Sequence, residues 1–202
     1  MGVQILLGPF YLKMQLGKKL YITNGKDWRL WLKRNHNKEK EIWLIYYRKS
    51  SGKKRIYYND AVNEALCYGW IDSTIKGIDE EKFAQRFTAR RKGSKLSEMN
   101  RERVRRLIKQ GRMTSVGLDA INHVFNQLED KKLKLVIAKD IIISLKKDNL
   151  VWKNFQNFSE GYRKVRIGYL EGRRKWGKIA FDKSLNYLIK MTAKNKKFGL
   201  VH

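Results

Sequence analysis

With 202 residues, 42% of them hydrophobic and 12% aromatic, the chain is apolar enough to bury a core and too apolar to stay disordered. Lys and Arg number 46 against 19 Asp and Glu, a net charge of +27, which draws acidic partners and carries no information about fold. A single cysteine, Cys67, excludes an internal disulfide framework, and His36, His123 and His202 stand at no metal-ligand spacing, so neither a metal nor a cofactor is expected.

The opening run MGVQILLGPFYLKMQL lacks basic residues before Leu6 and is interrupted by Pro9, unlike a secretory signal. No stretch approaches the ~18 apolar residues of a membrane span. Residues 1–20 are therefore read as an N-terminal extension, an extra strand or arm, and the protein as cytoplasmic. Trp28, Trp31 and Leu32 recur at helical spacing over Asp27–Asn35. Glu41–Arg48 reads as a buried strand and Ser50–Lys53 as a turn. Asn59–Tyr68 follows as a helix, with Asn59 as its cap, an apolar stripe of Ala61, Val62, Ala65 and Leu66, and Gly69 at its end.

Trp70–Lys76 and Lys82–Arg90 form a predicted hairpin. If it centres on Asp79, Ile71 faces Phe87, Ile75 faces Phe83, and Asp72 meets Arg86 on the other side. Ser97 starts a helix that ends at Gly111, with Arg101, Arg105 and Lys109 as an outward basic stripe. Thr114–Phe125 is a further helix with Thr114 as cap, residues 126–138 a connection, and everything from Lys139 onward helical. The fold class is α+β: a small sheet that includes the 70–76/82–90 hairpin, packed with helices over residues 21–126, then an all-helical C-terminal subdomain over 139–195.

Asp72 and Arg86 form the sharpest candidate site, an ion pair that lines a cleft for a polar ligand or simply pins the hairpin. Ser97 and Asn100 sit at a helix start behind the basic loop that begins at Arg90, suited to an anion or to plain capping. Trp70, Tyr46, Tyr47 and Trp43 could wall a pocket, although strand aromatics are mostly core. Cys67 reads as a buried, inert thiol. Residues 90–112 hold ten basic and two acidic residues, and 163–197 hold twelve and two, the second block interleaved with aromatics. Such stripes suit phosphate contacts and base stacking, and the basic residues singled out for that role are Arg101, Arg105, Lys109, Arg173, Arg174 and Lys175.

The segments DWRLWL, EIWLIYYRK, NEALCYGWIDS, DEEKFAQRFTARR, SKLSEMN and RLIKQGRM together resemble the YdeI/OmpD-associated family of bacteriocin-protection proteins, over about Tyr21 to Thr192. Two positions depart from its pattern: Ala89 stands where the family usually has proline, and Leu96 where it has tryptophan. The usual motif of the tail is also degraded at Glu171–Lys178. The resemblance implies an α+β domain with a helical tail and a role in protection from bacteriocins or envelope stress, with no reaction attached. Trp70, Asp72, Arg86, Arg90, Ser97 and Asn100 are carried over as its matched signature positions. The expected function is a non-enzymatic, stress-associated protein that binds a small polar or anionic ligand beside the hairpin. The alternative is a low-specificity nucleic-acid-binding protein. No catalytic residue is assigned: a carboxylate beside a guanidinium is a poor general base at neutral pH.

Overall fold

The structure, a computed structural model, describes residues 16–199. The extension read over 1–20 lies outside the described residues up to residue 15, and its last part enters strand β1 (Lys19–Tyr21). Helix α1 (Gly25–Asn35) begins two residues earlier than expected, because the Asn24 side chain accepts the Asp27 amide and Asp27 favours the positive helix end. Strand β2 (Glu41–Tyr47) and a 3₁₀ turn (Lys49–Ser51) lead to α2 (Tyr58–Cys67). Asn59 is not the cap of α2: Tyr57 holds that place without a side-chain bond, and the Asn59 side-chain Oδ1 instead accepts from Arg103 at 2.6 Å.

Gly69 ends α2 at φ +71, where a Cβ would also lie 2.6 Å from that of Ala120. Strands β3 (Trp70–Gly77) and β4 (Lys82–Ala89) complete a mixed sheet of order β1-β2-β4-β3, with β1 parallel to β2 and the other pairs antiparallel. The hairpin exists, but its register is not the expected one. Asp72 lies opposite Phe87 and Gly77 opposite Phe83, with an irregularity between Asp72 and Ile75. Two local causes are visible. The Asp79 carboxylate accepts the amides of Glu81 and Lys82, which sets the turn, and the Gln85 amide donates to the carbonyls of Ser73 and Thr74, which holds the bulge.

One sheet face carries Ile42, Leu44, Tyr46 and Phe87 and packs on Trp28, Leu32, Ala61, Val62 and Ala65 of α1 and α2. The opposite face carries Trp43, Arg86 and Glu41. Helix α3 (Glu98–Lys109) is capped by Ser97 and sends Leu107 into the sheet core and Val104 into a smaller cluster with Leu96, Ile121 and Phe125. The helix expected over Thr114–Phe125 is reduced to α4 (Ser115–Asp119), still capped by Thr114, and the connection contains a short helix, α5 (Gln127–Lys132), capped by Asn126. The tail is α6 (Lys139–Lys146), α7 (Asn149–Asn157), α8 (Glu160–Arg174) and α9 (Lys178–Ala193) around Ile141, Leu145, Phe155, Ile167, Leu170, Phe181 and Leu188. The fold is α+β with a helical C-terminal region. Among the described residues, no helix is long and apolar enough to cross a membrane.

Candidate ligand cleft beside the hairpin

The altered register separates the predicted ion pair. Asp72 shares the helix-packed face with Phe87, while Arg86 shares the other face with Trp43. Arg86 Nε donates to Glu41 Oε2 at 2.9 Å, and this bond, more than the pair's charge, holds the Glu41 carboxyl below its usual range. Asp72 instead accepts from the Tyr58 hydroxyl at 2.7 Å. Burial first, and that bond second, push the Tyr58 phenol far up, so it stays a neutral donor.

The other predicted positions divide. Trp70 is a core side chain whose indole N–H donates to the His36 carbonyl at 3.1 Å and whose ring meets Trp31 edge-on. Arg90 folds over its own loop onto the Lys95 carbonyl at 2.8 Å, and Ser97 accepts the Asn100 amide as a helix cap. Asn100 accepts from Arg103 at 3.2 Å, and Arg103 also reaches Asn59. Arg103 is buried, makes no ion pair among the described residues and lies within the fields of Tyr58 and Asp72. Arg103 thus joins Asn100 to Asn59, Asp72 pairs with Tyr58, Ser97 caps Asn100, and Trp70, Arg86 and Arg90 bond elsewhere.

Beside the Tyr58–Asp72 pair, a cleft of about 350 Å³ opens between the start of α2 and the hairpin. Tyr46 and Phe83 form its floor, stacked with centroids 5.3 Å apart and planes 9° from parallel. Tyr57 and Ile75, both exposed, and the more covered Tyr58 form its walls. Arg55 stands at the mouth, one guanidinium N–H held on the Tyr47 carbonyl at 2.9 Å. Tyr46 is 3% exposed, and its hydroxyl is buried with no hydrogen-bond partner among the described residues. Burial raises its pKa far above the ordinary tyrosine value, so it remains an unmet neutral donor and acceptor.

Of these residues only Tyr46 was visible from the sequence as a pocket aromatic. The signals for the rest were weak: a tyrosine pair before a helix, and Gln85 as a polar residue inside a strand. Trp43 and Tyr47, expected beside Tyr46, alternate onto the opposite face. Cys67 is buried, and burial, then the Glu64 charge, raise its thiol pKa, which makes it a poor nucleophile.

The basic stripe also differs from expectation. Arg101 and Arg105 do not face solvent as free charges: both bind Asp130, and Arg105 also binds Glu98 at 2.8 Å and Glu102 at 2.9 Å. Arg174 binds Asp140 and Glu171, and Arg173 lies over the Trp176 ring. Lys109 and Lys175 are exposed and make no ion pair among the described residues. No cluster of metal-ligating side chains occurs among the described residues.

No curated protein and no solved structure matches the chain. Residues 20–120, from β1 through α4 and half of the chain, match the family described as Domain of unknown function (DUF8412), and the chain belongs to that family.

Proposed function

We propose that the protein binds a small, flat polar or anionic molecule in the cleft over Tyr46 and Phe83, and that it serves as a non-enzymatic binding protein. The observation that carries this reading is the buried hydroxyl of Tyr46, a cleft-lining residue, which has no partner among the described residues. A buried polar group left unmet costs stability, and a ligand acceptor atom at that point would remove the cost. Arg55 at the mouth supplies charge for an anion, and Phe83 supplies a ring to stack on. A stress-protective role of the bacteriocin-protection type is the cellular setting that the sequence resemblance supports.

The test uses benzamide and benzoate as planar probes with an acceptor oxygen, followed by saturation-transfer NMR. Binding by either probe that is lost in Tyr46→Phe and Phe83→Ala supports the reading. Absence of binding by both, or equal binding to the two variants, rejects it.

The net charge of +27 favours a second reading, low-specificity nucleic-acid binding. Lys109 and Lys175 are exposed without an ion pair among the described residues, while Arg101, Arg105 and Arg174 already hold carboxylates. A gel shift with duplex DNA should weaken with salt at a log–log slope of about −0.9 per phosphate contact. No shift at low salt ends this reading.

A further inference from the structure

A second cavity, of about 600 Å³, lies between α8, α9 and the turn at Phe198 and shares no lining residue with the hairpin cleft. Its size is that of ordinary small-molecule sites. At its base is Arg166, 5% exposed, with a buried Nε that has no hydrogen-bond acceptor among the described residues. Three rings surround the guanidinium, with centroids at 4.8 Å for Phe198, 5.6 Å for Tyr162 and 5.8 Å for Tyr169. Those ring faces offset part of the cost of burying a cation, but they accept no hydrogen bond of ordinary strength. Among the described residues Arg166 has no carboxylate partner, and no acidic side chain lines the cavity. Burial lowers the pKa of Arg166, as expected of a cation without a counter-charge, yet a guanidinium remains protonated.

The rim adds two more cations, Arg173 and Lys183, and Arg173 Nε is likewise buried without an acceptor among the described residues. Between base and rim the walls are Leu170, Leu188, Tyr187 and Met99. Three cations and no acid within an apolar, aromatic chamber do not suit a bare inorganic ion, which would leave those walls unmatched, and a neutral apolar molecule would leave Arg166 unmet.

We infer that this cavity is a binding site for a small organic anion, a carboxylate or phosphate on an apolar or aromatic body, with Arg166 as the anchor and Arg173 and Lys183 as the entrance charges. The anionic head meets the Arg166 fork and the body lies along Leu170, Leu188 and Tyr187. The head group can belong to an acyl carboxylate or to an aryl or nucleoside phosphate, and the probes separate them.

Isothermal titration of the full chain at about 0.3 M salt, where surface attraction is largely screened, compares octanoate with octanamide and adenosine 5′-monophosphate with adenosine. At least one anion should bind with a stoichiometry of one and a Kd at or below about 0.1 mM, and at least tenfold more tightly than its neutral twin. Binding by octanoate alone assigns the site to acyl anions, by the nucleotide alone to nucleoside phosphates, and by both to the shared head-group chemistry. Arg166→Met, which keeps the bulk of the side chain, and the Arg173→Ala/Lys183→Ala double variant should each lose about tenfold or more in affinity. If circular dichroism shows that Arg166→Met does not fold, the rim variant decides alone. Failure of both anions to bind, equal binding of a neutral twin, or unchanged affinity in a folded variant overturns the assignment.

Discussion

Replacing Tyr46 by Phe removes a single oxygen from the floor of the hairpin cleft and keeps the ring stacked on Phe83. Because that hydroxyl is buried and unpartnered, the tyrosine should be less stable than the phenylalanine. An unmet buried polar group costs about 1–3 kcal/mol, and the lost contacts of one oxygen offset part of that, so the variant should gain about 1 kcal/mol. For a chain of this size such a gain raises the melting temperature by roughly 2–4 °C, and it should shift the urea midpoint in the same direction without changing the slope. The same substitution should weaken a cleft ligand by about tenfold, the worth of one hydrogen bond to a group with no alternative partner. Stability and binding thus move in opposite directions. Thermal and urea unfolding, followed by near-ultraviolet dichroism of the buried Trp28 and Trp70, read the first effect. A fall of about 2 °C or more in melting temperature would mean that the hydroxyl is satisfied in solution, and the case for a reserved donor would collapse.

Three further outcomes test how the molecule is held together. Arg105→Met leaves Asp130, whose side chain is 4% exposed, with Arg101 as its remaining guanidinium partner, so stability should fall by about 3 kcal/mol, with partial recovery when Asp130→Asn is added; urea titration measures both. The Asp130 carboxyl is pushed up by burial, but the hydrogen bonds and charge of Arg105, then those of Arg101, outweigh this and lower it; its contribution is therefore complete above the unfolded carboxylate range and lost as pH falls through the lowered value, so urea midpoints should be level from pH 7 to about 5 and drop below about pH 4. Gly168→Ala sets a Cβ 2.8 Å from that of Glu98 and should cost about 1–3 kcal/mol by forcing α8 away from α3, whereas Gly172→Ala, which meets nothing within 4 Å, should gain up to about 1 kcal/mol in thermal unfolding.

Much of the element order was legible because it depends on near neighbours. Ser97, Thr114 and Gly69 carry out the local roles that their chemistry suggests. The site was less legible because it depends on register. Periodicity marked both strands of the hairpin, but the bulge at Ser73 and Thr74 and the amide grip of Asp79 decide which side chains meet, and neither has a periodic signature. The expectation for Asp72 and Arg86 failed on that one shift. Arg101 and Arg105 were misread for a different reason: their acid, Asp130, comes from a connection 25 to 29 residues later, beyond any helical repeat. Asn59 illustrates a third case, where the long-range hydrogen bond to Arg103 displaces a plausible cap.

Helix α3 is a shared beam rather than a boundary. It contributes Leu107 to the sheet core, Val104 to the cluster completed by Ile121 and Phe125, Arg105 to Asp130, and Glu98 to the seat of Gly168. The family-sized segment, cut at residue 120, would keep every strand and yet strand two apolar partners and one counter-ion of that beam. A fragment ending there should expose sticky surface and self-associate, and so should one carried through α5, because it still lacks α8, whose Gly161 and Gly168 pack on Glu102 and Glu98 of α3.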